Sequence, residues 1–239
     1  MWDHFLTNQR KPIHKWVHYF PIYEDLLQRY RNRSCRLLEI GCFKGGSLDL
    51  WKRYLGPYAQ IVGIDIDPSC RAHSQEQIRI EIGSQADREF LISLDESLGP
   101  FDIVIDDGSH MMSDIATSFE VLYPRLHIDG IYIVEDLHAA YSPKFGGGLG
   151  VEGSFIEFTK KIIDAMHAHY WREGSSSTEE ESEQGDHIST IASMTRSLKI
   201  IDSLIAYEKG HRIRHYAPEI GVEEPQQNVV RETGFKTWD

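Results

Sequence analysis

Five short runs rich in Ile, Val and Leu recur along the first half of the chain, and the stretches between them fix what the chain can fold into. The runs are "CRLLEIG" (35–41), "QIVGIDI" (60–66), "IRIEIG" (78–83), "FDIVIDD" (101–107) and "GIYIVED" (130–136). Most carry apolar residues at positions of both parities, as a strand buried on both faces must. Between them the apolar residues return at helical spacing. In "SLDLWKRYL" (47–55) Leu48, Trp51 and Leu55 share one face, and "ADREFLISLDE" (86–96) and "SDIATSFEVLYPRL" (113–126) repeat the arrangement. Strand and helix in alternation predict an α/β fold with a mostly parallel sheet and helices on both faces.

The pattern changes after residue 136. "SPKFGGGLGVEGS" is too rich in glycine to hold a fixed backbone by itself, and serves as either a lid or a plain loop. An amphipathic helix is expected near 155–171, followed by "REGSSSTEEESEQGD" (172–186), whose Ser and Glu cannot bury apolar surface and which reads as a solvated loop. Two further strands are expected over "ISTIASMTR" (188–196) and "LKIIDSLIAYEK" (198–209), closing a seven-stranded sheet as an antiparallel hairpin. The remainder reads as extended. The organisation expected is an N-terminal helical segment (1–34), one α/β domain (35–210) and a C-terminal tail (211–239).

Charge narrows the partners. With 25 Lys+Arg against 37 Asp+Glu, the 239 residues carry a formal charge of -12, which repels phosphate backbones and anionic lipid surfaces. Neither nucleic acid nor membrane is an expected partner. Cys35, Cys42 and Cys70 are odd in number and lack zinc-like spacing, so reduced structural thiols are expected. No apolar segment is long enough to span a bilayer, and "MWDHFLTNQRKPIHKW" is too polar for a secretory leader, which places the chain in the cytoplasm.

The first run ends in "LLEIGCFKGGSLDLW", with Glu39 on the strand, Gly41, Gly45 and Gly46 in the turn, and Ser47 opening a helix. Glycine there lets a ligand approach the backbone closely, although E-x-G-x-x-x-G-G departs from the G-x-G-x-x-G of dinucleotide enzymes. Asp65 ends the second run, where a carboxylate can accept both hydroxyls of a ribose. After the third run, Gln85 or Asp87 of "GSQAD" can read the exocyclic amine of an adenine, or Asp87 can simply cap the next helix. At this point the sequence resembles the class I S-adenosylmethionine-dependent methyltransferases, over nearly its whole length. The resemblance implies a Rossmann-like class I methyltransferase fold and a cofactor-binding set of Glu39, Gly41, Ser47, Asp65, Gln85, Asp87 and Asp106.

The fourth and fifth runs share a second grammar: each stops at an acidic pair, Asp106–Asp107 and Glu135–Asp136, with His110 or His138 just beyond. Adjacent parallel strands lie roughly 5 Å apart, so four carboxylates are expected to converge at one sheet edge. A hard cation such as Mg²⁺ would relieve their repulsion. "DDGSH" followed by "GIYIVEDLH", with "HKWVHYFPIYEDLL" upstream and "EDLHAAYSPKFGGG" downstream, resembles the Mg²⁺-dependent sugar O-methyltransferases of macrolide tailoring. The resemblance implies Asp107, Glu135 and Asp136 as metal ligands and His110 as general base, with His138 the alternative base. "LTNQRK" departs from the Thr-Asp-Lys start of many relatives. His14, His18, Tyr19 and Tyr23 either line an acceptor pocket or pack an amphipathic helix on the domain. The expected partner is a saccharide or glycoside, the expected cofactors are S-adenosyl-L-methionine and Mg²⁺, and the expected assembly is a homo-oligomer. Rival readings are a cephalosporin hydroxylase-like oxygenation enzyme, a catechol-type O-methyltransferase and a non-catalytic cofactor-binding partner.

Overall fold

The five apolar runs form parallel strands in a computed structural model that describes residues 1–168, 183–211, 219–221 and 229–231. They are β1 (Cys35–Ile40), β2 (Ala59–Asp65), β3 (Ile78–Ile82), β4 (Ile103–Asp106) and β5 (Ile131–Val134). With the antiparallel strands β6 (Thr195–Ile201) and β7 (Leu204–Lys209) they make a seven-stranded sheet in the order β3-β2-β1-β4-β5-β7-β6. The order reverses between β1 and β4. There the connections leave in opposite directions and open a crevice at the carboxyl ends of the strands.

Helices α1 (Trp2–Leu6), α2 (Phe20–Leu27), α3 (Gly46–Leu55), α4 (Arg88–Leu98), α5 (Met112–Leu122), α6 (Phe155–Met166) and α7 (Glu183–Met194) surround the sheet. The two-residue period of a strand sorts the core into two layers. Leu38, Ile40, Val104, Tyr132 and Val134 pack against Leu91 of α4, Phe119 of α5 and Ile162 of α6. Leu37, Ile103, Ile105, Ile131 and Ile133 face the other way, against Tyr23 of α2 and Trp51 of α3. All three cysteines are free and buried.

The end of the sheet differs from the sequence reading. Most of the strand expected over 188–196 is instead the last turns of α7, up to Met194, because Ile188, Ile191 and Ala192 are buried at helical spacing rather than in alternation, and only Thr195 and Arg196 are strand. Apart from Thr195, Arg196 and Ser197 at its start, the hairpin comes from the stretch read as one strand, broken at Asp202 and Ser203, where Ser203 takes a positive φ of 63°. The solvated loop expected over 172–186 gives its last residues to α7, and residues 169–182 lie outside the described part. Of the tail, β8 (Glu219–Gly221) and β9 (Val229–Arg231) pair antiparallel. Among the described residues no helix is long and apolar enough to cross a membrane.

Candidate active site

A cavity of about 590 Å³ opens at the crevice, lined by residues 12–15, the turn after β1 (Gly41–Lys44, Gly46, Ser47), Asp65, Asp107 and Gly108. Its floor depends on glycine. Gly41 has a φ of +83°, and a Cβ there would lie 2.2 Å from the Asp107 carbonyl oxygen, so β1 and β4 come together only with no side chain between them. A Cβ on Gly46 would lie 2.0 Å from the carbonyl of Pro12, which seats the N-terminal segment directly on the turn. Asp65 is held with its carboxylate in the wall, where Oδ2 accepts the Phe43 N–H at 2.9 Å and Oδ1 the Asp67 N–H at 3.0 Å.

Strand parity places Glu39, Asp107 and Glu135 on the face of α2 and α3, and one cation meets all three. The Lys15 ammonium lies 2.7 Å from Asp107 Oδ2, 2.9 Å from Glu135 Oε2 and 3.3 Å from Glu39 Oε1, with its side chain only 2 % exposed. Burial opposes that charge, but Asp107, Glu135 and Glu39 outweigh it and hold the Lys15 pKa well above its ordinary value. The carboxylates are further satisfied by neutral donors. Tyr23 O–H donates to Glu135 Oε1 at 2.6 Å, while Ser47 O–H and the Trp51 indole N–H donate to Glu39 at 2.6 and 3.1 Å. Burial pushes the pKa of both Glu39 and Glu135 up.

Nearer solvent, donor atoms of Asp107, His110 and Asp136 lie within 4.8 Å of one another. His110 Nε2 is 3.8 Å from Asp136 Oδ2. Both residues adopt positive φ, 57° and 54°, so the turns after β4 and β5 bend back toward each other. Tyr19 braces Asp136: its hydroxyl accepts the Asp136 backbone N–H at 3.2 Å and shares its proton between Asp136 Oδ1 and the Ser203 carbonyl, each at 3.0 Å. The carboxylates of Asp107 and Asp136, half-buried at one point with His110 beside them, suit a hard divalent cation that keeps some of its waters. Magnesium fits this donor set.

The expected convergence of four carboxylates is thus divided. Asp106 points through the sheet to the opposite layer, 1 % exposed, where Ser118 O–H, Tyr132 O–H and the Gln85 amide donate to it at 2.6, 3.0 and 3.1 Å. Burial pushes its pKa up to about 6 against those hydrogen bonds. Gln85 uses both ends of its amide inside the protein, because its Oε1 accepts the Ser109 N–H at 2.7 Å and so ties down the turn that carries His110. Asp87 caps α4, accepting from Glu89 and Phe90 N–H at 3.1 Å each. Glu39, Gln85, Asp87 and Asp106 do not line the cavity, whereas Gly41, Ser47, Asp65 and Asp107 do.

The aromatic N-terminal residues also separate. Tyr19 and Tyr23 are fully buried braces of the carboxylates rather than a pocket lining, whereas His14 lines the cavity and His18 lies 3.1 Å from the Asp202 carbonyl. His138 is exposed and bonded to Ser203 Oγ at 2.8 Å, outside the cluster that holds His110. The glycine-rich 145–150 is fastened to the preceding turn, with Gly147 and Gly148 N–H donating to the Ser142 and Ala140 carbonyls at 3.0 and 2.8 Å. Sequence reasoning missed Lys15. Its only trace there is parity: three acids on one buried face require a cation, though not a particular one.

No protein-family model matches the chain. Mycinamicin VI 2''-O-methyltransferase of Micromonospora griseorubida is 40% identical over 167 residues, which cover 65% of this chain and 41% of that protein. L-olivosyl-oleandolide 3-O-methyltransferase of Streptomyces antibioticus is 36% identical over 187 residues, covering 69% of this chain and 48% of that one. A crystal structure of the MycE methyltransferase from the mycinamycin pathway, in complex with Mg, SAH and mycinamycin VI, superposes with a TM-score of 0.70 at 33% identity, covering 83% of this chain and 51% of that chain. The chain spans about half the length, or less, of the relatives it matches.

Proposed function

We propose that this chain, which has the class I methyltransferase fold and is related to natural-product sugar O-methyltransferases, transfers a methyl group from S-adenosylmethionine to a hydroxyl of a sugar or glycoside with the help of Mg²⁺. One observation carries the reading. The cavity walled by Gly41 and Asp65 and the cluster of Asp107, His110 and Asp136 share Asp107, so a methyl donor in the first meets an acceptor held at the second. In this reading residues 35–210 form the catalytic domain, 1–34 supply its outer wall and 211–239 a tail.

The residues divide the work. Gly41 and Gly46 let β4 and the N-terminal segment close on the turn that lines the cavity, and Asp65 offers two oxygens to vicinal hydroxyls of a ribose. S-adenosylmethionine, when bound, supplies an electrophilic methyl group on a positive sulfur. Asp107 and Asp136 would hold the metal, with Glu135 behind them, and bound Mg²⁺ supplies a charge that favours the alkoxide form of a bound hydroxyl. His110 accepts the acceptor's proton at Nε2, and Asp136 beside it stabilises the resulting imidazolium. Gln85 and Tyr19 fix the two turns so that base and ligands keep their spacing.

The sugar reading draws on the solvent side of the cluster. Trp16 is 49% exposed, and its ring packs edge-on to His138 at 5.7 Å. An exposed aromatic face at Trp16, the chain neighbour of Lys15, suits a saccharide, which presents C–H faces and hydroxyl edges together. The decisive experiment incubates the protein with methyl-labelled S-adenosylmethionine, Mg²⁺ and a panel of glycosylated macrolides, other glycosides and free sugars, and reads products by mass spectrometry. Gain of CH₂ that stops with EDTA and returns with Mg²⁺ supports the reading. Gain of oxygen would point to the hydroxylase alternative, and transfer to catechols alone would replace the sugar.

A further inference from the structure

We propose that Cys42, Asp65 and Cys70 form a second metal site, selective for a thiophilic divalent cation such as Zn²⁺, whose occupation excludes the methyl donor. The Sγ atoms of Cys42 and Cys70 and a carboxylate oxygen of Asp65 all lie within 4.8 Å of one another. Zinc–sulfur and zinc–oxygen bonds of about 2.3 and 2.0–2.2 Å bring three such donors onto one ion with small side-chain adjustments. Two sulfurs and one carboxylate leave a fourth tetrahedral position for water, and Cys42 and Asp65 both line the cavity through which it would arrive.

The local structure holds each donor from behind, as metal ligands are commonly held. Cys42 follows the glycine that closes β1 against β4, and its side chain is 1% exposed. Cys70 sits in a short 3₁₀ turn (Pro68–His73) started by Asp67, whose carboxylate accepts the Ser69 N–H at 2.8 Å; its thiol donates to the Phe43 carbonyl at 3.0 Å, a bond given up when zinc displaces the proton. Asp65 is oriented by the Phe43 and Asp67 N–H groups. The donor types separate this site from the other. Thiolates favour zinc and its soft congeners, whereas Asp107 and Asp136 offer the oxygens that Mg²⁺ prefers. Binding releases the two thiol protons to solvent, so Zn²⁺ replaces 2 H⁺ and no redox partner is needed.

The exclusion follows from Asp65. A carboxylate coordinated to zinc cannot also accept two ribose hydroxyls, so cation and methyl donor compete for one side chain. This part rests on the function proposed above; the metal site does not.

The test uses the full chain, fully reduced and in excess Mg²⁺ to occupy the oxygen site. Titration with Cd²⁺ should raise the ultraviolet thiolate-to-cadmium absorption to an end point of one ion per chain. Cys42→Ala and Cys70→Ala should each weaken Zn²⁺ at least tenfold, measured by competition with a chromophoric chelator, while Cys35→Ala leaves both readouts unchanged. Circular dichroism and a thermal melt establish that each variant is folded. In calorimetry, one equivalent of Zn²⁺ should weaken S-adenosylmethionine at least tenfold in the wild type and leave it unchanged in Cys70→Ala. Absence of the absorption band, its persistence in the Cys42→Ala/Cys70→Ala double variant, or a Cys42–Cys70 disulfide surviving in the reduced sample would overturn the site. A normal band with cofactor affinity indifferent to Zn²⁺ would overturn the exclusion alone. S-adenosylmethionine failing to bind the zinc-free protein would instead count against the proposed function.

Discussion

Asp106 and Asp107 are joined by one peptide bond and solve the same electrostatic problem in opposite ways. Asp106 is buried among neutral dipoles, the hydroxyls of Ser118 and Tyr132 and the amide of Gln85. Asp107, on the other face of the sheet, is matched with Glu39 and Glu135 against the ammonium of Lys15. Dipoles that belong to the core cannot be exchanged without unfolding it. A cation on a flexible stem can be displaced by another cation, and of the two neighbours Asp107 lines the cavity while Asp106 does not. A carboxylate's neighbours, more than its position at a strand end, decide whether it is structural or chemical.

The comparison can be broken at several points. The largest effect belongs to the open side, where His110→Ala should lower kcat by about 10²–10⁴-fold, the range for a lost general base, with S-adenosylmethionine affinity unchanged by calorimetry. Full turnover in that variant would move the base elsewhere, with His138 the first alternative. Lys15→Met comes next. Without metal it leaves buried carboxylates uncompensated and should destabilise the fold by about 3–5 kcal/mol in urea unfolding, with Mg²⁺ restoring more stability to the variant than it adds to the wild type. Equal stability of variant and wild type in EDTA would show that the ammonium does not neutralise the cluster.

Smaller effects sharpen the contrast between the neighbours. Asp136→Asn should weaken Mg²⁺ by at least about 10–100-fold, since it replaces an anionic ligand with an amide. Asp106→Asn should leave Mg²⁺ affinity alone and instead cost about 1–3 kcal/mol of stability, because an amide N–H₂ would face the donors that now point at a carboxylate. Were the Asp106 variant to lose metal affinity as the Asp136 variant does, the two sides would not be separate. The smallest effect is a cap: Asp87→Ala should destabilise by about 1 kcal/mol and leave S-adenosylmethionine affinity unchanged, whereas an adenine contact would show itself as weaker binding.

The parallel strands, the glycine turn and the two acidic pairs were legible in the sequence because each is a local pattern: an apolar run, a residue that permits close approach, a charge at a strand end. The partition of the acids was legible in principle, since adjacent residues of a strand face opposite layers. Reading the four carboxylates as one cluster overlooked that parity. Lys15 was not legible, because it reaches Asp107 and Glu135 across 92 and 120 positions of chain. Near the end of the sheet, the Ile and Thr of 188–196 suggested a strand, yet the spacing of Ile188, Ile191 and Ala192 was helical throughout. There composition outweighed period, and period was right.

The segment that carries Lys15 has one further consequence, and it concerns timing. Residues 12–15 wall the cavity and, with Lys11, rest on Gly46, but no backbone-to-backbone hydrogen bond is seen for this segment among the described residues. What fastens them is side-chain chemistry, chiefly the contacts of one buried nitrogen and the approach of Lys11 to Asp49 at 3.8 Å. Such a wall can lift and resettle without parting any strand from its neighbour. Release of whatever occupies the cavity then requires the parting of the Lys15 and Lys11 contacts and of Ile13 from the core, with no strand of the sheet opened.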